Sequence, residues 1–179
     1  IKLVDNTVVK QKPEVYLDFN AIGKGYGIDV IGRFLESKGI QNYLIEIGGE
    51  IRCRGQKPNG DQWGVQIDAP NTDGSRTAYD VLKITNVSVA SSGNYRKFRT
   101  SNNGQKYVHT INPKTGEAKE SNLLAATVIA KLDCADVDAY ATAFMAMGLE
   151  KTKQFLKTKT DIKVILIYTD KNELKEFRN

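Results

Sequence analysis

Residues Asp18 to Asp29, in one-letter code DFNAIGKGYGID, place Gly23, Gly25 and Gly27 around a single lysine, Lys24. Alternate glycines weaken any strand and bare the backbone, so another chain segment or a ligand can come close. The stretch follows Val15-Tyr16-Leu17, whose apolar alternation predicts a strand, and it opens a helical pattern with Ile28, Ile31 and Leu35 on one face. The expected local structure is therefore a strand-to-helix junction. Amides at a helix start attract anions, and Lys24 adds a full positive charge, which suits a phosphate. Tight packing with an exposed lysine accounts for the same residues equally well. The Walker pattern is absent because Gly25 follows Lys24, and G-x-G-x-x-G is missing as well.

The 179 residues fit one domain, read as a single unit over 1–179. No apolar run approaches the ~20 residues needed to span a bilayer as a helix. Lysine plus arginine exceed aspartate plus glutamate by five, a modest excess that favours solubility or a polyanionic ligand. Aromatic residues make up 8% and do not interleave with a basic run, which argues against a nucleic-acid partner. Cys53 and Cys134 form no C-x-x-C pair, and with one histidine they offer no usual zinc site. No G-x-S-x-G turn supports an acyl-transfer hydrolase. Ile1 to Lys12 reads as hairpin sequence, without an initiating Met or a signal peptide, and the chain is expected to be a fragment of a longer protein.

Further along, Gly39 is expected to close the first helix, and Tyr43 to Ile47 reads as a buried strand bent by Gly48-Gly49. Glu50 to Arg54 alternates, with Ile51 and Cys53 on one face between exposed arginines. Trp63 to Ile67, Val81 to Ile84 and Val87 to Ala90 read as strands, the last ending at Ser91-Ser92-Gly93. Asn103-Gly104 favours a hairpin turn between Arg96–Thr100 and Gln105–Thr110. Leu123 to Lys131 is an apolar strand. Asp133 reads as the N-cap of a helix from Cys134 to Met147 that Gly148 closes, followed by a helix over about Leu149 to Lys159. Val164 to Tyr168 is a central strand, and the mixed charges after residue 149 suit a solvated helix face. The predicted fold class is α+β, a mainly antiparallel sheet with helices packed on one side.

Asp138 and Thr142, four apart, share a helix face and present a carboxylate beside a hydroxyl. Both are oxygen donors of the kind that hard divalent cations such as Mg²⁺ prefer. The spacing is equally that of a solvent-facing aspartate and a threonine bonded to its own helix. His109 is the only histidine, suited by its titration range to proton transfer and equally to a structural role.

The junction resembles the D-x-x-x-I-A-K-G-Y-x-x-D signature of the ApbE family, FAD:protein FMN transferases formerly described as thiamine biosynthesis lipoproteins. Four further blocks resemble the family in order and spacing: Ile47-Gly48-Gly49-Glu50-Ile51, Ser88 to Tyr95, His109 to Gly116, and Asp136 to Ala143. Departures are Asn20-Ala21, where Gly-Gly is frequent, and Gly23, where Ala is frequent. The resemblance implies an ApbE-like, T-fold-related architecture and a Mg²⁺-dependent transfer of FMN from FAD to a Thr or Ser hydroxyl of an acceptor flavoprotein, releasing AMP. It implies metal ligation by the Ala21 carbonyl, the Asp138 carboxylate and the Thr142 hydroxyl. Lys24 and His109 then lie near the cofactor phosphates, with Gly48, Gly49, Ser91, Ser92 and Gly93 as cofactor-side positions, the last three in a turn at a strand end. The resemblance further implies that His109, Asp138 and Lys24 carry the catalysis. Hydrolysis of FAD to FMN and AMP is a variant of this reading, and a non-catalytic flavin-nucleotide-binding module is its rival. Many family members are lipoproteins outside the bacterial cytoplasmic membrane. A periplasmic or cell-envelope location follows, with the lipid anchor outside this chain and the chain corresponding to the larger C-terminal part of the family protein.

Overall fold

The computed structural model describes residues 1–179 except 72, 74, 95–97, 101–105, 109, 110, 112–115, 117, 119, 120 and 172. Its centre is a six-stranded sheet, antiparallel throughout, in the order β12-β11-β10-β7-β4-β3. These strands are β3 (Tyr43–Ile47), β4 (Glu50–Arg54), β7 (Val87–Gly93), β10 (Leu123–Ala130), β11 (Ile162–Asp170) and β12 (Glu173–Arg178). Among the described residues three two-stranded pairs complete the strands: β1 (Lys2–Val4) with β2 (Thr7–Val9), β5 (Trp63–Asp68) with β6 (Ala78–Ile84), and β8 (Phe98–Thr100) with β9 (Lys106–Val108). The helices are α1 (Gly23–Ser37), α2 (Cys134–Met147) and α3 (Leu149–Leu156).

Side-chain alternation sorts the two faces of this sheet, because successive residues of a strand point to opposite sides. Ala90, Ala126, Val128, Val164 and Leu166 face α2 and α3, where they bury Val137, Ala141, Phe144, Leu149 and Leu156. The intervening Val89 and Ile165, with Ile51 and Cys53, face the β5–β6 hairpin and pack on Val65, Ile67 and Ile84. The helices therefore lie on one side, as the residue order predicts, and a hairpin covers part of the other. Small residues dominate the helix side of the central strands, Ala90, Ala126 and Ala130, which lets α2 approach the sheet closely.

Several local expectations give way to tertiary context. Val15-Tyr16-Leu17 forms no strand: the Val15 amide bonds the Lys12 carbonyl and its own carbonyl accepts from the Lys10 ammonium, which turns Val15 back on its own loop. Asp18 to Asp29 is thus a loop-to-helix junction. The strand Tyr43–Ile47 is an edge strand paired on one side only, and Glu46 and Ile47 are exposed rather than buried. Ser91-Ser92-Gly93 is no turn. It continues β7, with Ser91 opposite Thr127, Ser92 opposite Ala126 and Gly93 opposite Ala125. The mixed charges after residue 149 divide between α3, which ends at Leu156, and the β11–β12 hairpin. Gly39, at φ +78°, does follow the end of α1 as expected of a C′ glycine.

Candidate functional site

The backbone ladder of α1 begins with the Tyr26 amide donating to the Ile22 carbonyl at 2.8 Å. One residue earlier the pattern breaks. The Gly25 amide, which in a longer helix would donate to the carbonyl of Ala21 four residues back, donates instead to Asp138 Oδ2 at 3.1 Å. Among the described residues the Ala21 carbonyl therefore accepts no hydrogen bond. A free backbone carbonyl and a carboxylate are brought to the same turn, and the reason is steric as much as electrostatic. A Cβ on Gly25 would lie 2.4 Å from the Cys134 carbonyl oxygen, so only glycine lets the two helices cross here.

The other end of the crossing mirrors this arrangement. Asp29, on α1, accepts the Cys134 and Ala135 amides, one on each carboxylate oxygen and both at 2.9 Å, and so caps the first turn of α2. Asp133 does occupy the N-cap position, but its carboxylate turns to Arg33 and Arg52 instead of its own helix. Arg52 also pairs with Asp29 at 2.6 Å and is largely buried, not exposed as its alternation with Cys53 suggests. Each helix thus takes a terminal hydrogen-bond acceptor from the other.

Around this crossing three carboxylates, Asp29, Glu50 and Asp138, are buried. Burial pushes the Asp138 carboxyl above its ordinary range, with the Gly25 amide and the Lys24 charge pulling against it. Burial also raises the Glu50 carboxyl. Lys24 opposes that rise and the charge of Asp138 adds to it. Lys24 Nζ lies 2.6 Å from Glu50 Oε2, a close ion pair on an otherwise unpartnered buried oxygen. The Cys134 thiol is pushed up to about 12 by burial and by Asp29, Asp138 and Glu50, and is chemically inert. Thr142 Oγ1, one turn beyond Asp138, shares a hydrogen bond of 3.3 Å with Ser92 Oγ.

On the hairpin side of the sheet lies a cavity of about 460 Å³. Gly48, Gly49, Ser91, Ser92 and Gly93 line it together with Glu46, Gln66, Arg76 and Thr127. Gly48 and Gly49, at φ +63° and +103°, form the tight β3–β4 turn that only glycine takes easily. The Lys24 stem passes over Gly48, within 3.4 Å of where a Cβ would stand. β7 runs on to Gly93 past its last partner in β4, the pair of Ile51 with Val89, which opens this end of the sheet. The cavity and the helix crossing meet there, with Ser91 bonded to Thr127 on the cavity side and Ser92 to Thr142 on the helix side.

The structure thus gathers Ala21, Lys24, Asp138 and Thr142 at the helix crossing, and Gly48, Gly49 and Ser91 to Gly93 around the adjoining cavity. His109 lies outside the described residues. Asp18 holds its own loop, accepting the Asn20 amide at 2.7 Å. Sequence reasoning leaves Asp29 and Glu50 without roles although both fall in the quoted blocks. It also misses Gln66, Arg76 and Thr127, which carry no motif: the β5–β6 hairpin brings Gln66 and Arg76 to the cavity, and Thr127 reaches it from β10 opposite Ser91.

The family profile of ApbE matches residues 1–166. The chain belongs to the ApbE family. The FAD:protein FMN transferase of Vibrio cholerae is 36% identical over 172 residues, covering 96% of this chain and 50% of that protein. The FAD:protein FMN transferase of Escherichia coli strain K12 is 35% identical over 148 residues, or 83% of this chain and 41% of that protein. Among solved structures, the flavin transferase ApbE from Vibrio cholerae superposes with a TM-score of 0.85 at 33% identity, covering 99% of this chain and 55% of that one. The apo flavinyl transferase ApbE of Pseudomonas stutzeri gives 0.77 at 31% identity, over 91% of this chain and 49% of that one. The chain spans about half the length of these ApbE relatives.

The donor set fits a hard divalent cation. No cluster of three or more His, Cys, Asp or Glu side chains that could hold a metal occurs among the described residues, so a cation here relies on one carboxylate and neutral oxygens. The free Ala21 carbonyl, the buried Asp138 carboxylate and the Thr142 hydroxyl are such oxygens.

Proposed function

We propose that this chain takes part in an FAD:protein FMN transferase reaction, in which FMN passes from FAD to a Thr or Ser hydroxyl of an acceptor protein. The observation that carries the reading is the free Ala21 carbonyl on the turn whose Gly25 amide reaches buried Asp138, joined to the neighbouring cavity through the Ser92–Thr142 hydrogen bond, in a chain of the ApbE family. In the reaction the acceptor oxygen bonds to the FMN phosphorus, the P–O bond to AMP breaks, and the hydroxyl proton leaves to a base. Ala21, Asp138 and Thr142 would hold Mg²⁺, which supplies Lewis-acid charge to the pyrophosphate. Lys24 offsets charge that builds on the phosphoryl oxygens, for which it leaves Glu50. His109 or Asp138 accepts the proton. Gly48, Gly49 and Ser91 to Gly93 let the nucleotide lie close to the backbone. We extend the reading to location: a lipid-anchored protein on the outer side of the bacterial cytoplasmic membrane.

Incubation of the protein that carries this chain with FAD, Mg²⁺ and a candidate acceptor, followed by mass spectrometry, tests the reaction. An acceptor heavier by one FMN, with matching AMP, is expected. AMP with no adduct would point to hydrolysis, and neither product would refute both.

Two variants probe single residues. Asp138→Asn keeps the side-chain shape and an oxygen for the Gly25 amide but removes the one anion among the proposed ligands. Divalent-ion affinity is expected to fall at least about 10- to 100-fold, read by calorimetry. Stability should move the other way. The folded-state pKa of Asp138 is raised, so its ionised form opposes folding increasingly as pH rises above 3.8. At pH 7 and without metal the variant should therefore melt no lower than the parent; a lower melting temperature would contradict the buried-charge assignment. His109→Asn is expected to slow FMN transfer by about 10²- to 10⁴-fold with FAD affinity changed much less. Normal turnover with reduced stability would make His109 structural.

A further inference from the structure

The cap that Asp29 provides lies on the helix that also bears Gly25, and the turn it caps precedes Asp138 on α2. Gly25 and Asp29 are four residues apart, as are Cys134 and Asp138, so each pair spans one helical turn, about 6 Å. Two cross-helix links therefore join the same two turns: Gly25 to Asp138, and Asp29 to Cys134 and Ala135. Helical turns are stiff, and the Gly25 backbone is pressed against Cys134 and Ala135 with no slack for a methyl group. A shift at one link is passed to the other with little loss.

We propose that Asp29 is a positioning residue for the cation site: it fixes the first turn of α2 so that Asp138 meets the Gly25 amide beside the Ala21 carbonyl. The inference rests on the cation reading given above. Asp29 is 1% exposed, so it cannot hold its charge without partners, and those it has are two α2 amides and the Arg52 guanidinium. Asp133, the residue placed to cap α2 locally, makes no side-chain cap, so the first turn of α2 depends on α1 for its acceptor. Arg52 in turn is braced by Glu36 and Asp133, which keeps the Asp29 carboxylate from rotating off the helix end.

The test compares Asp29→Asn with Leu156→Ala, a variant in the α2–α3 core away from the crossing, both in the 179-residue chain. Amide hydrogen exchange at Gly25 reports the crossing without any metal, and calorimetry with Mn²⁺ reports the site. In Asp29→Asn the Gly25 amide is expected to exchange about tenfold faster than in Leu156→Ala, the loss of one hydrogen bond. Mn²⁺ affinity is expected to fall about 10- to 100-fold, as for the loss of a ligand's supporting partner, while Leu156→Ala keeps the parent affinity. Unchanged Gly25 exchange, or parent-like Mn²⁺ affinity in a folded Asp29→Asn, would overturn the role of Asp29 and leave the cation reading standing. A parent chain that binds no Mn²⁺ would overturn the cation reading and this inference with it. Should Asp29→Asn fail to fold, Arg52→Lys takes its place, with smaller changes expected in both readouts and the same overturning result.

Discussion

Gly25→Ala is expected to cost the chain about 3 kcal/mol or more, the upper end of what one added methyl does in a packed interior. The new Cβ would lie 2.4 Å from the Cys134 carbonyl oxygen, 2.6 Å from its carbon and 2.7 Å from Ala135 Cα. All three are backbone atoms in the first turn of α2, so no side chain can swing aside. The helices must separate, and separation breaks both the Asp138 link and the Asp29 cap. The sign is informative, because in an unpacked helix the same change would stabilise by about 1 kcal/mol. Gly23→Ala is the internal comparison: its Cβ meets nothing within 4 Å, and it should be neutral or slightly favourable. Urea unfolding of the two variants checks this. Equal midpoints would show that the helices do not cross at Gly25 as described.

Lys24→Met should have the second-largest effect, and its signature is in pH. Among the described residues Lys24 is the one cation paired with Glu50, whose side chain is 2% exposed. Breaking a fully buried ion pair costs about 3–5 kcal/mol; Lys24 is 46% exposed, so screening reduces this to about 2 kcal/mol at neutral pH. Glu50 has a folded-state pKa raised above its unfolded value of 4.5. Its contribution is therefore complete below pH 4.5 and is lost as pH rises through the folded-state value. Removing Lys24 lifts that value further. The variant should match the parent near pH 4.5 and fall behind it progressively toward pH 8 in urea midpoint. Adding Glu50→Gln should remove most of that pH-dependent gap. A gap that ignores pH would show that Glu50 does not depend on Lys24.

Much of the fold can be read from pattern alone where the pattern is long. The apolar run of β10 and the capped, closed helix α2 appear within a residue of their expected limits, because each is specified by many residues at once. Short patterns yield to their surroundings. Ser91-Ser92-Gly93 has the composition of a turn, yet β10 offers Ala125 to Thr127 as ladder partners and the strand continues. Val15 to Leu17 has the alternation of a strand, yet Val15 bonds back to Lys12 and the stretch joins no sheet among the described residues. The oxygen donors Asp138 and Thr142 are visible as a helical pair, since their spacing is local. What completes them is not. Gly25 lies 113 residues from Asp138 and Asp29 lies 105 from Cys134, and no rule of neighbours along the chain looks that far. The local rule instead picks Asp133 as the cap, and Arg33 and Arg52 draw that carboxylate away.

That separation along the chain also bears on how the site comes into being. Contacts between distant residues form late in folding, after the loops between them have been closed at an entropic cost. A chain emerging from the ribosome releases α1 long before α2, with β4, β7 and β10 still to be laid between them. Until then the Gly25 amide has only water, Asp29 has no helix to cap, and the glycine junction is free to sample other shapes. The proposed cation site is accordingly a product of the final docking of α2, and a nascent or partly folded chain has Asp138 and the Ala21 carbonyl still apart.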